Sequence, residues 1–377
     1  MSTKEVSQTR AITIKAARSA LRRAISKQRP VFLWGPVGVG KSELVQQIAE
    51  EDLGGIMIDL RMANLDPTDV RGIPYYNQDN CTMSWAAPVE LPNEELASKH
   101  KVVVLFLDEL NSAPPAVQAA TYQLILNRKI GTYTLPDNVV VVAAGNRDTD
   151  RGVTYRMPSP LANRFVHLEV KPDFDCWLEW AGQHGEHPDV ISFLYHKKQK
   201  LHDYDPKAPG HAFPTPRSWH FVSELIEDDD DMTTMELICG SIGEATALEF
   251  KTFRDYAACL PDPAKVLDGD IKKVETKELS ALFNLVGSLS YELKQRLPSK
   301  EHNSKDFDEK MERWYKSANN YFAFVLENFS PELAVVAGRM AIKIYRLPVK
   351  RDNVPSFDAY GKKYAKMIVA TEDVTSR

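Results

Sequence analysis

Cysteine is scarce in this chain: Cys81, Cys176, Cys239 and Cys259 lie far apart in 377 residues, with no CxxC pair. That argues against a disulfide framework or a cysteine zinc site and favours reduced thiols. Charge of one sign is lacking too. The formal net charge is −5, so no global basic field draws in nucleic acid or anionic membrane, and no basic tract is interleaved with aromatics. No apolar run has the length needed to span a bilayer, and the first residues, MSTKEVSQTR, hold no apolar signal core. The expectation is a cytoplasmic protein. A GxSxG nucleophile signature is absent. His184-Gly185-Glu186-His187 lacks the i, i+4 spacing that puts two histidines on one helix face, so it reads as a loop. No internal repeat is present.

What remains is an ordinary globular composition, 43% hydrophobic and 26% charged, in a chain long enough for two or three domains. One stretch organises it. Val31-Phe32-Leu33-Trp34 reads as a buried strand, and a helix is expected from Lys41 to Glu50. Between them run Gly35, Pro36, Val37, Gly38, Val39, Gly40, Lys41, Ser42 and Glu43, which carry the phosphate-loop spacing GxxxxGKS. Glycines let successive N–H groups turn toward phosphate oxygens, and the helix N-terminus adds positive charge. Lys41 suits the β- and γ-phosphates, and the Ser42 hydroxyl suits Mg²⁺. A nucleoside triphosphate is the expected ligand.

The second half of the site is Val102 to Leu107, an unbroken apolar strand ending in Asp108-Glu109. Ligand chemistry in parallel sheets sits at the carboxyl ends of strands. Asp108 is read as a Mg²⁺ ligand and Glu109 as the group polarising the attacking water. A further strand, Asn138 to Ala144, leads to Gly145-Asn146-Arg147, where Asn146 is in line to orient that water. Ser159 to Phe165, SPLANRF, precedes a last strand from Phe165 to Val170. Its Arg164 is either an arginine finger or a salt-bridged surface residue. Arg217, in the first turn of a helix opened by Thr215-Pro216, is placed to reach back to nucleotide.

Around these elements the chain begins with an amphipathic helix between Thr9 and Lys27. Residues 64–92, rich in proline and aromatics, read as an insertion holding a short hairpin near Ile73-Pro74-Tyr75 and Trp85-Ala86-Ala87. Its aromatics either meet a substrate or anchor the insertion. Residues 128–136 suggest a second hairpin. From Pro172 the composition turns aromatic and helical, with an acidic run at 227–231, and helical stripes continue from about Pro261 to the end without a catalytic constellation.

This order of motifs resembles the AAA+ ATPases, and within them the MoxR-like branch of the group that includes the dynein-related ATPases. The resemblance runs over residues 9–225. It implies that Asp108-Glu109 is the Walker B pair, Asn146 sensor 1, Arg164 the arginine finger and Arg217 sensor 2. Residues 64–92 are similar to the branch's helix-2 insertion and residues 128–136 to its hairpin before sensor 1, both facing a ring pore. The implied fold is an α/β core of residues 1–171, an αβα sandwich on a five-stranded parallel sheet. A helical lid over 172–260 and a C-terminal helical region over 261–377 follow. The implied activity is Mg²⁺-dependent ATP hydrolysis in a homo-oligomeric ring, a hexamer, acting on a protein client beside a von Willebrand A (VWA) domain partner. Residues 147–151 resemble a segment of McrB-type GTPases, so a GTP-driven motor serving a nuclease is the alternative, with a DNA-associated motor behind it. Arg147, Arg151 and Arg156 are further candidates for contacts between subunits.

Overall fold

A computed structural model describes residues 10–79, 81–147, 155, 157–205, 210–226, 232–256, 260–298 and 304–375. The chain divides into two compact units, one of residues 1–173 with 205–209, the other of residues 174–204 and 210–377. Arg151, Arg156, Cys259 and the acidic run at 227–231 lie outside the described residues.

The first unit is built on a parallel sheet. Its strands are β1 (Ala11–Ile12), β2 (Val31–Trp34), β3 (Ile56–Arg61), β6 (Val103–Asp108), β9 (Val139–Gly145) and β10 (Val166–Val170), in the order β1-β10-β2-β9-β6-β3. Every pairing among them is parallel. The five expected strands are joined by a sixth, β1, which pairs with the end of β10. Two residues are too few to leave an alternating pattern, so this edge was invisible in the sequence. The first helix, α1 (Ile14–Ser26), starts only after Thr13, whose hydroxyl accepts the Ala16 N–H.

Strand side chains alternate across the sheet. Phe32, Val103, Leu105 and Leu107 enter one apolar layer, closed by α5 (Pro115–Asn127) through Val117 and Leu124. Val31, Leu33, Val104 and Phe106 enter the other. That second layer is closed by α1 through Ala17, Leu21 and Ile25, and by α2 (Lys41–Gln47) through Leu44 and Val45. The result is an αβα sandwich. Continuous apolar strands such as VVLFL follow from burial on both faces.

Beyond the sheet, β4 (Ile73–Asn77) and β5 (Thr82–Ala86) form an antiparallel hairpin inside the expected insertion, preceded by α3 (Pro67–Arg71) and followed by α4 (Glu94–Ser98). A smaller hairpin pairs β7 (Lys129–Ile130) with β8 (Tyr133–Thr134). The helix α6 (Ser159–Ala162) leads into β10.

The second unit is helical. It contains α7 (Phe174–His184), α8 (Pro188–His196), α9 (Pro216–Leu225), α10 (Met232–Ile242), α11 (Glu244–Asp255) and α12 (Pro263–Asp268). It continues with α13 (Leu279–Gln295), α14 (Ser304–Asn328), α15 (Pro331–Arg339) and α16 (Pro355–Thr375). One apolar cluster runs from Trp177 through Trp219, Phe250, Leu285 and Tyr321 to Tyr364. Residues expected in the lid and in the C-terminal region therefore share a core. Among the described residues, no helix is long and apolar enough to cross a membrane.

Candidate nucleotide site

The carboxyl ends of β2, β9 and β6, neighbours in the sheet, bring the polar residues of the first unit together. The loop after β2 turns into α2 at Gly40, whose φ of 90° and ψ of 31° is the left-handed region that a side chain would strain. Val39 is buried in the core below, while Val37 is exposed. The Lys41 ammonium donates to the carbonyls of Gly35 (2.8 Å) and Pro36 (3.1 Å), and to Asn146 Oδ1 at 3.2 Å. The Ser42 hydroxyl donates to Asp108 Oδ2 at 3.3 Å. Lys41 and Ser42, consecutive in the phosphate loop, are thus each hydrogen-bonded to a residue of another motif, Asn146 and Asp108. Glu43 points elsewhere, its carboxylate accepting the Gln47 amide one turn along α2.

Glu109 leaves the strand in a conformation rare for a residue with a side chain, φ 55° and ψ 33°. Such a left-handed residue costs roughly 1–2 kcal/mol. Its N–H donates to Asp108 Oδ1 at 2.9 Å, and Glu109 itself is exposed.

Asn111 escaped the sequence reading. It is buried, and its amide donates to the Asn146 carbonyl at 2.8 Å. Its Oδ1 has no hydrogen-bond partner among the described residues. Gly145 permits this approach, since a Cβ there would overlap Asn111 Oδ1. Asn111 so ties the end of β9 to the turn after β6. The available signal was a buried-type position two residues past the acid pair filled by an amide. Asp59 on β3 was also missed. Desolvation, then the charge of Asp108, hold its carboxyl above the ordinary range, with Arg61 opposing.

Arg164 is exposed on the turn between α6 and β10, with its N–H donating to the Leu161 carbonyl at 3.0 Å. Arg147 lies 3.6 Å from Glu169. Arg217 belongs to the second unit, exposed in the first turn of α9 behind a reciprocal Thr215–Ser218 cap. The HGEH stretch, also in that unit, is engaged in other ways: His184 stacks on Trp180, His187 Nδ1 accepts the Asp189 N–H, and buried Glu186 binds His220 at 2.6 Å.

The two hairpins of the first unit are joined to each other. The Arg71 guanidinium lies 4.4 Å over the Trp85 ring, and the Thr132 hydroxyl donates to the Trp85 carbonyl at 2.8 Å. The Tyr133 hydroxyl donates to the Pro92 carbonyl, and burial pushes its pKa up to about 12. Trp85 therefore anchors the insertion, whereas Ile73, Tyr75, Tyr76 and Met83 stand exposed. Anchor and exposed aromatics are different residues of one hairpin.

Residues 31–172 match the model of the ATPase family associated with various cellular activities (AAA). No protein of curated function matches the chain. Among solved structures, it is similar to a Cytophaga hutchinsonii protein assigned as an ATPase, at 15% identity and a TM-score of 0.35, covering 89% of this chain and 82% of that one. It is also similar to NtrX from Brucella abortus in complex with ADP, at 15% identity and TM-score 0.38, covering 93% and 68%. The ATP complex of that protein gives 14% identity and TM-score 0.39, covering 68% and 63%. These likenesses are remote.

Proposed function

We propose that the AAA ATPase domain of residues 31–172 hydrolyses ATP with Mg²⁺ in a ring of identical subunits, and that the ring remodels a protein client as MoxR-like ATPases do. The observation supporting the catalytic half is that neighbouring Lys41 and Ser42 of the phosphate loop bind Asn146 and Asp108, residues from the ends of two other strands. Lys41, held by two loop carbonyls, has only to exchange them for phosphate oxygens. Ser42 and Asp108 present two hard oxygen donors 3.3 Å apart, a pair that fits Mg²⁺. Bound with ATP, that ion supplies neutralisation of phosphate charge. Glu109, exposed by its left-handed turn, would take the proton of the attacking water, and Asn146 would orient that water. Backbone strain of this kind is typical of functional sites.

Arg164 is exposed at the edge of its turn and would complete the site of a neighbouring subunit. The exposed apolar side chains of the β4–β5 hairpin, Ile73 at 66%, Tyr76 at 60% and Met83 at 67% accessible, suit contact with a protein client. A VWA-domain protein is the partner we propose, and a hexamer the assembly.

The deciding experiment is hydrolysis of ATP and GTP at increasing protein concentration, with the size of the same samples measured. Specific activity that climbs with assembly and prefers ATP supports the reading. Unchanging activity from a monomer would overturn the shared site, and a GTP preference would favour the McrB-like alternative. Salt-sensitive DNA binding would favour a nucleic-acid motor.

A further inference from the structure

The strand that ends in the phosphate loop and the strand that begins after Arg164 are direct neighbours, in the register Phe32↔His167 and Trp34↔Glu169. On one face they carry a polar contact that the mechanism above does not use. Trp34 Nε1, which can only donate, gives its proton to His167 Nδ1 at 2.9 Å. Nδ1 is therefore the acceptor nitrogen, the proton sits on Nε2, and Nε2 donates to the Ala162 carbonyl at 2.7 Å. Both ring nitrogens are committed.

The ring cannot turn to other partners without leaving its packing. Trp34 stacks on it at 6.1 Å between centroids, and Phe32 and Phe165 flank it at 5.9 and 6.3 Å. One end of this chain of contacts meets the phosphate loop and the other meets the turn that carries Arg164. Trp34 immediately precedes Gly35, whose carbonyl holds Lys41. Ala162 closes α6, and its carbonyl also accepts the Phe165 N–H at 3.2 Å, so it clamps the turn that contains Arg164. Pairing of both ring nitrogens is what any packed histidine needs; what is particular here is that the two partners are the residue before the phosphate loop and the turn that carries Arg164.

We propose that Trp34 and His167 form a positioning relay that sets the direction in which Arg164 leaves the sheet. It links a subunit's own phosphate loop to the arginine offered to its neighbour. The proposal rests on the reading of Arg164 as a finger acting in trans. His167 and Trp34 touch neither nucleotide nor reacting atoms and act through Arg164.

The test uses full-length variants: His167→Phe, which keeps an aromatic ring but neither hydrogen bond, and His167→Gln, whose amide offers one acceptor and one donor. His167→Phe is expected to bind Mg·ATP with wild-type affinity and to lose kcat by on the order of 10²-fold, the size of a small misplacement. His167→Gln should recover most of that rate; a Gln variant slower than the Phe variant would show that ring filling alone matters. Mixed assemblies then locate the defect. Mixing His167→Phe with Glu109→Gln should restore hydrolysis, because the second subunit lends a well-placed Arg164 to an intact catalytic acid. Mixing it with Arg164→Ala should not. The reverse pattern would place the defect in the variant's own phosphate loop and overturn the relay. If Arg164→Ala itself turned over ATP at the wild-type rate, the finger reading would fall and the relay with it. If Arg164→Ala were inactive while His167→Phe stayed at the wild-type rate, the relay alone would fall.

Discussion

The two units of this chain solve burial with different chemistry. In the sheet unit the strands are aliphatic, as in Val103-Val104-Leu105-Phe106-Leu107 and Val139 to Ala144, and both faces are covered by helices. Its polar groups gather where the strands end. In the helical unit the core is aromatic, with Trp177, Phe193, Trp219, Phe250, Trp314, Tyr321 and Tyr360 buried in one cluster. There the polar groups are inside. The Tyr321 hydroxyl donates to the Ala337 carbonyl at 2.9 Å and meets Ser290 at 2.8 Å, while Tyr360 donates to the Ala334 carbonyl. A parallel sheet satisfies its backbone within itself and leaves its strand ends free for chemistry. A helical core of large rings buries hydroxyls that call for partners: Tyr321 and Tyr360 find theirs, while the buried Tyr345 hydroxyl has none among the described residues.

Four substitutions would break or sharpen that contrast. In the sheet unit, effects should fall on rate and leave the fold intact. Arg164→Ala should lower kcat by roughly 10³-fold or more, the loss typical of an arginine finger, with sizing unchanged. A steady-state assay beside analytical sizing checks it. Glu109→Gln should cost roughly 10²–10⁴-fold in kcat, the range of a general base, while Mg·ATP affinity measured by equilibrium binding stays put. Wild-type turnover in that variant would remove Glu109 from the role of base.

In the helical unit, effects should fall on stability and leave hydrolytic chemistry alone. Tyr321→Phe removes a buried hydroxyl that bridges Ser290 and the Ala337 carbonyl, which keeps the Met340 N–H, so the cost is about 0.5–1.5 kcal/mol in denaturant unfolding. The smallest effect is expected at Glu186. Burial raises its pKa above 4.5, with the hydrogen bond from His220 pulling the other way. The folded state then holds its proton to higher pH than the unfolded chain does. Its ionisation therefore removes stability as pH rises from about the ordinary value through the raised one. Glu186→Gln should gain on the wild type across that window in thermal melts run at stepped pH; a gap independent of pH would show that Glu186 is not carrying the shift.

Much of the sheet unit could be read from the chain because its signals are local. GxxxxGKS, the apolar strand before Asp108-Glu109 and the GNR strand end each depend on a few consecutive residues, and both hairpins lie within the stretches read for them. Asn111, Asp59 and His167 could not be read so. Each matters through a partner more than 30 residues away: Asn146, Asp108 and Trp34. Strand β1 was missed for lack of length. In the helical unit the stripes in α13, α14 and α15 announced helices, yet no period states that one core runs from Trp177 to Tyr364.

The sequence by itself determined the kind of element at each position and the residue types able to hold a triphosphate, since propensity, periodicity and loop geometry act over a few bonds. The tertiary structure decided that β2, β9 and β6 lie side by side. It decided as well that Lys41 meets Asn146 and Ser42 meets Asp108, that Trp34 meets His167, and that the aromatic helices share a single core. These are contacts between distant segments, chosen by packing and by the pairing of buried polar groups, and they acquire an energy only once the chain has folded.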